Sequence, residues 1–129
     1  MTQINAKYVD GFVFTVPKKN LEAYRKMIKE AKKVWMSYGA LDYKECMGED
    51  LAPKKEKGMP TPLSFTKLTN AGKNDTVWFS FITYKNRKHR DAVNKKVMEF
   101  FSKKYEGKED MSMPFDMEKM CVGGFAVEA

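Results

Sequence analysis

The sequence predicts an α+β fold of four strands and two helices. Three observations lead there. Residues 7–16 and 76–84 are dense in aromatic and β-branched side chains, the composition of strands. Two lysine-rich segments carry apolar residues at spacings of three and four, the pattern of amphipathic helices. Clusters of Gly, Asn, Asp and Pro separate these runs, as turns require.

The first strand, Lys7–Val16, ends at Pro17. Alternation puts Tyr8, Asp10, Phe12, Phe14 and Val16 on one face and Val9, Gly11, Val13 and Thr15 on the other. Both faces are largely apolar, which marks a strand covered on both sides. Asn20 has the side chain of an N-cap. Behind it Leu21, Tyr24, Ile28, Ala31, Trp35 and Tyr38 form one helical stripe, and Gly39 stops the helix. Ala40–Met47 reads as a second strand with Tyr43, Glu45 and Met47 among its residues. Gly48–Pro62 is a polar connection. Within the linking segment Leu63–Thr69 is a candidate for an extra short edge strand outside the four, and Asn70–Asp75 reads as a turn. Thr76–Tyr84 is the strongest strand. Val77, Phe79 and Phe81 point one way, and Trp78, Ser80, Ile82 and Tyr84 the other. Asn86 caps a second helix whose inner stripe is Val93, Val97, Phe100 and Phe101. Residues 106–117 form a loop, and Met120–Glu128 is the last strand.

The order β-α-β, connection, β-α-β is the ferredoxin-like plan, a four-stranded antiparallel sheet with both helices on one face. Two helices cover one face only, yet the strands at 7–16 and 76–84 are apolar on both. Leaving that surface wet is costly at about 25 cal/mol per Å². The economical solution is a homodimer whose sheets close face to face.

Composition narrows the function. The chain has 129 residues, 43% hydrophobic and 32% charged, so one globular domain over 1–129 is expected. Its longest charge-free apolar run, Thr76–Tyr84, is about half of what a membrane span needs. Met1–Lys7 lacks the apolar core of a secretory signal. Cys46 and Cys121 cannot hold zinc alone and suggest no oxidising compartment, so a cytoplasmic protein with free thiols is expected. The net charge of +7 invites nucleic acid, but the lysines spread over both helices and the connection rather than along one stripe. Nucleic-acid and membrane partners are therefore not expected, nor is a metal or cofactor.

Tyr8-Val9-Asp10-Gly11-Phe12-Val13, with Val16-Pro17, Asn20 and Ala23-Tyr24, resembles the opening of the YbaA-like family of small uncharacterised bacterial proteins. The resemblance continues through Gly39-Ala40-Leu41, Glu45-Cys46, Gly48-Glu49-Asp50, Thr76-Val77-Trp78-Phe79-Ser80, Arg90-Asp91, Pro114-Phe115-Asp116, Met120 and Gly123-Gly124-Phe125. It implies a dimeric α/β barrel, a superfamily that includes cofactor-free monooxygenases, haem-degrading enzymes, isomerases and ligand sensors. Fold does not choose among these. The chain departs from the family at Glu49, where Asp is usual, and at Met47, where Trp is usual.

The candidate site lies between sheet and helices. Asp10, between Tyr8 and Phe12, is either a desolvated acid or base or one half of an ion pair. Glu45 is either a second carboxylate in the same cavity or a solvated edge residue. Asp10 and Glu45 are the catalytic candidates. Tyr24, Trp35, Phe79, Phe115 and Asp116 are the ligand-binding candidates, Tyr24 and Asp116 as polar groups and the others as walls. Arg90 could anchor a carboxylate such as Asp116. His89 reads as part of a solvated helix start, Cys46 and Cys121 as inert small hydrophobes, and Gly123-Gly124 as close backbone packing. The two functions that fit are a small-molecule site with cofactor-free chemistry and a non-catalytic homodimeric module binding a metabolite or a protein.

Overall fold

The computed structural model describes residues 5–107 and 113–129. It is an α+β fold with four strands, β1 (Tyr8–Pro17), β2 (Asp42–Met47), β3 (Asp75–Tyr84) and β4 (Cys121–Ala126). Its helices are α1 (Leu21–Ser37), the single turn α2 (Phe65–Leu68) and α3 (Arg87–Lys104). The sheet order is β2-β3-β1-β4, with every neighbouring pair antiparallel. The two richest strands are central, where both edges of the backbone find partners.

The register sorts side chains as alternation predicts. Tyr8 pairs with Tyr84, Asp10 with Ile82, Phe12 with Ser80 and Phe14 with Trp78. Tyr43 pairs with Ile82, and Glu45 with Ser80. This face meets the helices. Ala31 and Val34 of α1 and Val93 and Val97 of α3 pack with Tyr43, Ile82 and Tyr84. A second cluster joins Tyr24 of α1 to Phe14, Val16 and Trp78, with Phe115 and Met120 against it. The other face stays open over most of its area. Phe79 is 45% exposed and Phe125 61%, while Val9, Val13 and Phe81 are half-buried. Only its Pro17 end is closed. There Thr15 and Val77 are buried, Gly48 donates its N–H to the Val77 carbonyl at 2.6 Å, and Leu51 lies against Gly48.

Several local expectations are corrected. The edge strand expected at Leu63–Thr69 is instead the helical turn α2, because Ser64 Oγ accepts the Lys67 N–H as an N-cap and Thr69 closes back on the Phe65 carbonyl. Asn20 does not cap α1. Residues Lys18–Asn20 already form a 3₁₀ turn straight after Pro17, so Asn20 lacks the extended backbone of a cap and donates Nδ2 to the Pro114 carbonyl instead. Asn86 caps α3 as expected, its side chain accepting the His89 N–H at 2.8 Å. Phe100 leaves the inner stripe. Val93, Val97 and Phe101 follow at steps of four on the packed side, and Phe100 turns out against Tyr38. Gly39 ends α1 at φ +110, a conformation L side chains rarely adopt. Both cysteines are exposed rather than packed, since they project from the open face.

Among the described residues, Thr15 Oγ1 is the one buried side-chain polar atom without a hydrogen-bond partner. An unpaired buried hydroxyl costs roughly 1–3 kcal/mol. Thr15→Val keeps the shape and removes the hydroxyl. It should raise the urea midpoint, by about 1 kcal/mol of stability, with the slope unchanged. An unchanged or lowered midpoint would show that the hydroxyl is satisfied in solution.

Candidate functional site

Between sheet and helices runs a strip of polar groups set in aromatic walls. One end is Asp10. Its position on the covered face of a central strand leaves it 5% exposed, so its charge needs an internal partner. Arg90 supplies one from the first turn of α3, with Nη1 2.6 Å from Asp10 Oδ1. Arg90 also donates Nε to Asp91 at 2.7 Å and lies over the Tyr8 ring, 5.0 Å from its centroid. The hydrogen bond to Asp91, then the Asp10 charge, hold the Arg90 guanidinium above its ordinary range. Tyr8 in turn covers Gly124, where a Cβ would collide with the phenol and lie 3.0 Å from Arg90. Close backbone packing is thus the role of that glycine.

One turn along α3 from Arg90 stands Asn94. Its Oδ1 accepts from Trp35 Nε1 at 3.2 Å and from the Tyr84 hydroxyl at 3.1 Å. Its Nδ2 approaches Asp10 Oδ2 at 3.5 Å. Burial, with the nearby Asp10 charge, pushes the Tyr84 phenol well above its usual range.

The other end is Glu45. The Tyr24 hydroxyl donates to its Oε1 at 2.8 Å, and the Tyr43 hydroxyl to its Oε2 at 2.6 Å. Glu45 is half-buried on β2, an edge strand, so solvent still reaches this end of the strip. Burial raises the Glu45 carboxyl above its ordinary value, against the lowering effect of the two phenol hydrogen bonds. The same burial, with the Glu45 charge second, drives both phenols well above the tyrosine range. A carboxyl held by two phenols can accept or return a proton at this point, while the phenols stay protonated and serve as donors.

The structure therefore brings Tyr24, Glu45, Phe115, Trp35 and Asp10 onto one face. Tyr24 packs edge-on to Phe115 at 6.1 Å and to Trp78 at 4.9 Å. Trp35 lies 5.8 Å from Tyr43, which links the two polar groups. Asp10 and Glu45 sit on that face with separate partners rather than in contact. Phe79 is a correction. As a neighbour of Ser80 it alternates to the open face, so it cannot wall a pocket between sheet and helices. Asp116 is another. Its carboxylate accepts the Glu118 N–H and starts a 3₁₀ turn, and the carboxylate that Arg90 anchors is Asp10. His89 takes a local role, its Nδ1 accepting the Lys85 N–H at 3.0 Å.

Tyr43, Asn94 and the Asp10 partner Arg90 complete the strip. Asn94 is legible only in hindsight, as the residue four after Arg90 and one after Val93 on the inner side of the helix. Two open surface depressions lie elsewhere, on exposed parts of α3 (Met98, Glu99, Ser102) and α1 (Glu22, Arg25, Lys29). Among the described residues, no group of three or more His, Cys, Asp or Glu could hold a metal ion, and no helix is long and apolar enough to cross a membrane.

Comparison with known proteins gives the family. Residues 7–117 match the family profile described as "Protein of unknown function (DUF1428)". The chain is 39% identical over 119 residues to the "Uncharacterized protein YbaA" of Escherichia coli (strain K12), covering 92% of this chain and 94% of that one. It has the same identity and coverage with the protein of that name from Shigella flexneri.

The raised Glu45 carboxyl sets a pH dependence of stability. The folded state keeps this proton as pH climbs past the ordinary value of 4.5, while the unfolded chain releases it. Its contribution is complete below 4.5 and is lost as pH rises through the folded value. Glu45→Gln, which cannot ionise, should flatten this fall when urea midpoints are compared between about pH 4 and 8. An undiminished slope in the variant would assign the effect to another group.

Proposed function

The chain belongs to the DUF1428 family, and from that premise we propose that it works as a cytoplasmic, non-catalytic homodimeric module that binds a metabolite or another protein. One observation carries this reading. The carboxylates of the covered face are already engaged by Arg90 and by two phenols, whereas the apolar surface without a partner is the open face of the sheet. Chemistry needs free groups; association needs free surface. The open part spans four strands and about six residues, roughly 19 by 20 Å or about 400 Å² in projection, in the range of the largest patch on a monomer, which is often functional. Its two central strands present Val9, Gly11, Val13, Phe79 and Phe81 there and no charge, the nearest being Lys44 on the edge strand β2, so the middle of the face offers a second copy no repulsion despite the net charge of +7. The strand order β2-β3-β1-β4, with α1 and α3 on one face, supports a ferredoxin-like half, and two halves closed face to face make a dimeric α/β barrel.

A second reading keeps the strip as a small-molecule site, with Glu45 as acid or base in cofactor-free chemistry of the monooxygenase or isomerase kind. The half-exposed Glu45 between two protonated phenols favours it. It requires that Glu45→Gln abolish binding of an acidic or phenolic metabolite found by screening, with the oligomeric state unchanged. Binding that survives the change would leave the strip a structural network.

The homodimer is tested by light scattering. The chain should run at twice its 14.9 kDa mass at micromolar concentration. Phe79→Lys should shift it to single-chain mass with an unchanged far-ultraviolet spectrum, because it puts a charge on the central row of the open face. A wild-type monomer at that concentration would remove the reading.

A further inference from the structure

We infer that the outer seam between α1 and α3 binds single-stranded nucleic acid, with its lysines on the phosphates and a base stacked at the Tyr38–Phe100 pair. The seam lies on the far side of the helices from the sheet, so the inference stands apart from the open face.

Charge is sorted between the layers. α1 and α3 hold twelve of the 24 Lys and Arg but four of the 17 Asp and Glu. Their balance of +8 exceeds the +7 of the whole chain, so the net charge sits on the helices. Three of the four acids are taken up by neighbouring cations, Glu22 by Arg25, Glu30 by Lys104 and Asp91 by Arg90. Among the described residues the other lysines of these helices make no ion pair. Spread over two segments of the sequence, these cations gather on one layer in space. A basic layer in a chain of pI 9.3 is the electrostatic footprint of a polyanion site.

Contacts between the helices define the seam. Glu30 reaches across to Lys104 and Tyr105, and Tyr38, just past the end of α1, meets Phe100. Lys26 and Lys33 stand one turn to either side of Glu30, and Lys96 and Lys103 one turn to either side of Phe100. Two exposed lysines from each helix therefore border the seam. At 17 residues α1 is about 25 Å long, enough to follow several phosphates.

The aromatic pair selects the kind of polyanion. Tyr38 and Phe100 are each 37% exposed, with ring centroids 6.3 Å apart. The core has no use for Phe100, since Val93, Val97 and Phe101 fill the packed side of α3. An exposed ring flanked by lysines offers a platform on which a base stacks. A duplex keeps its bases stacked on one another and has no free base to offer. Anionic lipid takes up a helix by its apolar face, and the apolar faces of α1 and α3 are against the sheet.

The full chain is titrated into a fluorescent oligothymidylate of about fifteen nucleotides and followed by anisotropy. At about 50 mM salt it should bind with micromolar affinity, and log affinity should fall with log salt at a slope of about −3 for four phosphates. K96Q with K103Q should make that slope shallower by about 1.4. K44Q with K67Q removes the same charge outside α1 and α3 and should leave the slope unchanged. Phe100→Leu should weaken binding about tenfold at constant slope, the loss of one stacked base. All five side chains are exposed, so each variant should keep the wild-type far-ultraviolet spectrum. No binding at about 50 mM salt would overturn the inference. Equal losses in the two double variants would do the same, because net charge rather than the seam would then hold the strand. An unaffected Phe100→Leu would remove the stacked base and with it the choice of a single strand. Tighter binding to a duplex of that length, or to phosphatidylserine vesicles, would replace the partner with another.

Discussion

Side-chain alternation along β1 and β3 is the constraint on which the molecule depends. These strands are paired over their full ten residues, and each carries apolar groups on both faces. A two-residue period leaves no freedom. If Phe14, Trp78 and Ile82 are to meet the helices, then Val13, Phe79 and Phe81 must face away from them. A slip of one residue would carry Trp78, Ile82 and Tyr84 away from the helices that cover them and part Asp10 from Arg90. The helices are positioned by the same period. Val93, Val97, Ala31 and Val34 go where Tyr43, Ile82 and Tyr84 project.

The polar strip follows from that packing. A carboxylate on the covered face of a central strand must be paired, and Asp10 is, by a guanidinium that is itself fixed by Asp91 and by the Tyr8 ring. Such a pair gains little net stability relative to apolar residues of the same shape, but breaking it leaves a buried charge and costs about 3–5 kcal/mol. It therefore acts as a lock on register. Only α3 seated with Arg90 over β1 satisfies Asp10. Glu45 is managed differently. It lies on an edge strand, receives two neutral donors and stays half-buried, so it is the one carboxyl of the strip whose proton answers to solvent.

Much of this was legible in the residues. The facing sets of β1 and β3 came from alternation alone, and the order of strands and main helices from where Gly, Asn and Pro interrupt the periodic runs. The failures have local causes. Leu63–Thr69 has strand-like composition, but Ser64 caps it into a turn, a competition that composition does not resolve. Phe79 walls no pocket under the helices, since alternation puts it on the opposite face from Trp78. Asp10 left two readings open, because the choice between free acid and ion pair needed a residue eighty positions away. The junction of Tyr24 and Tyr43 on Glu45 was half visible. Tyr43 and Glu45 share a strand face by spacing, whereas Tyr24 reaches them only through the packing of α1 on β2.

The two faces are not independent, because β3 serves both. Ser80 pairs with Glu45 on the covered side, and its sequence neighbours Phe79 and Phe81 stand together on the open side. A partner seated there would restrain the backbone of β3 at Ser80, and through the β2 ladder it would restrain the strand that carries Tyr43 and Glu45. The edge strands take the opposite part. β2 and β4 each have one pairing partner in the chain, and Cys46 and Cys121 mark their open-face sides at the same height. A strand edge with unpaired backbone groups is a surface that a symmetric copy can complete. The same period that sorts residues toward the helices thus also sets which side chains the open face presents.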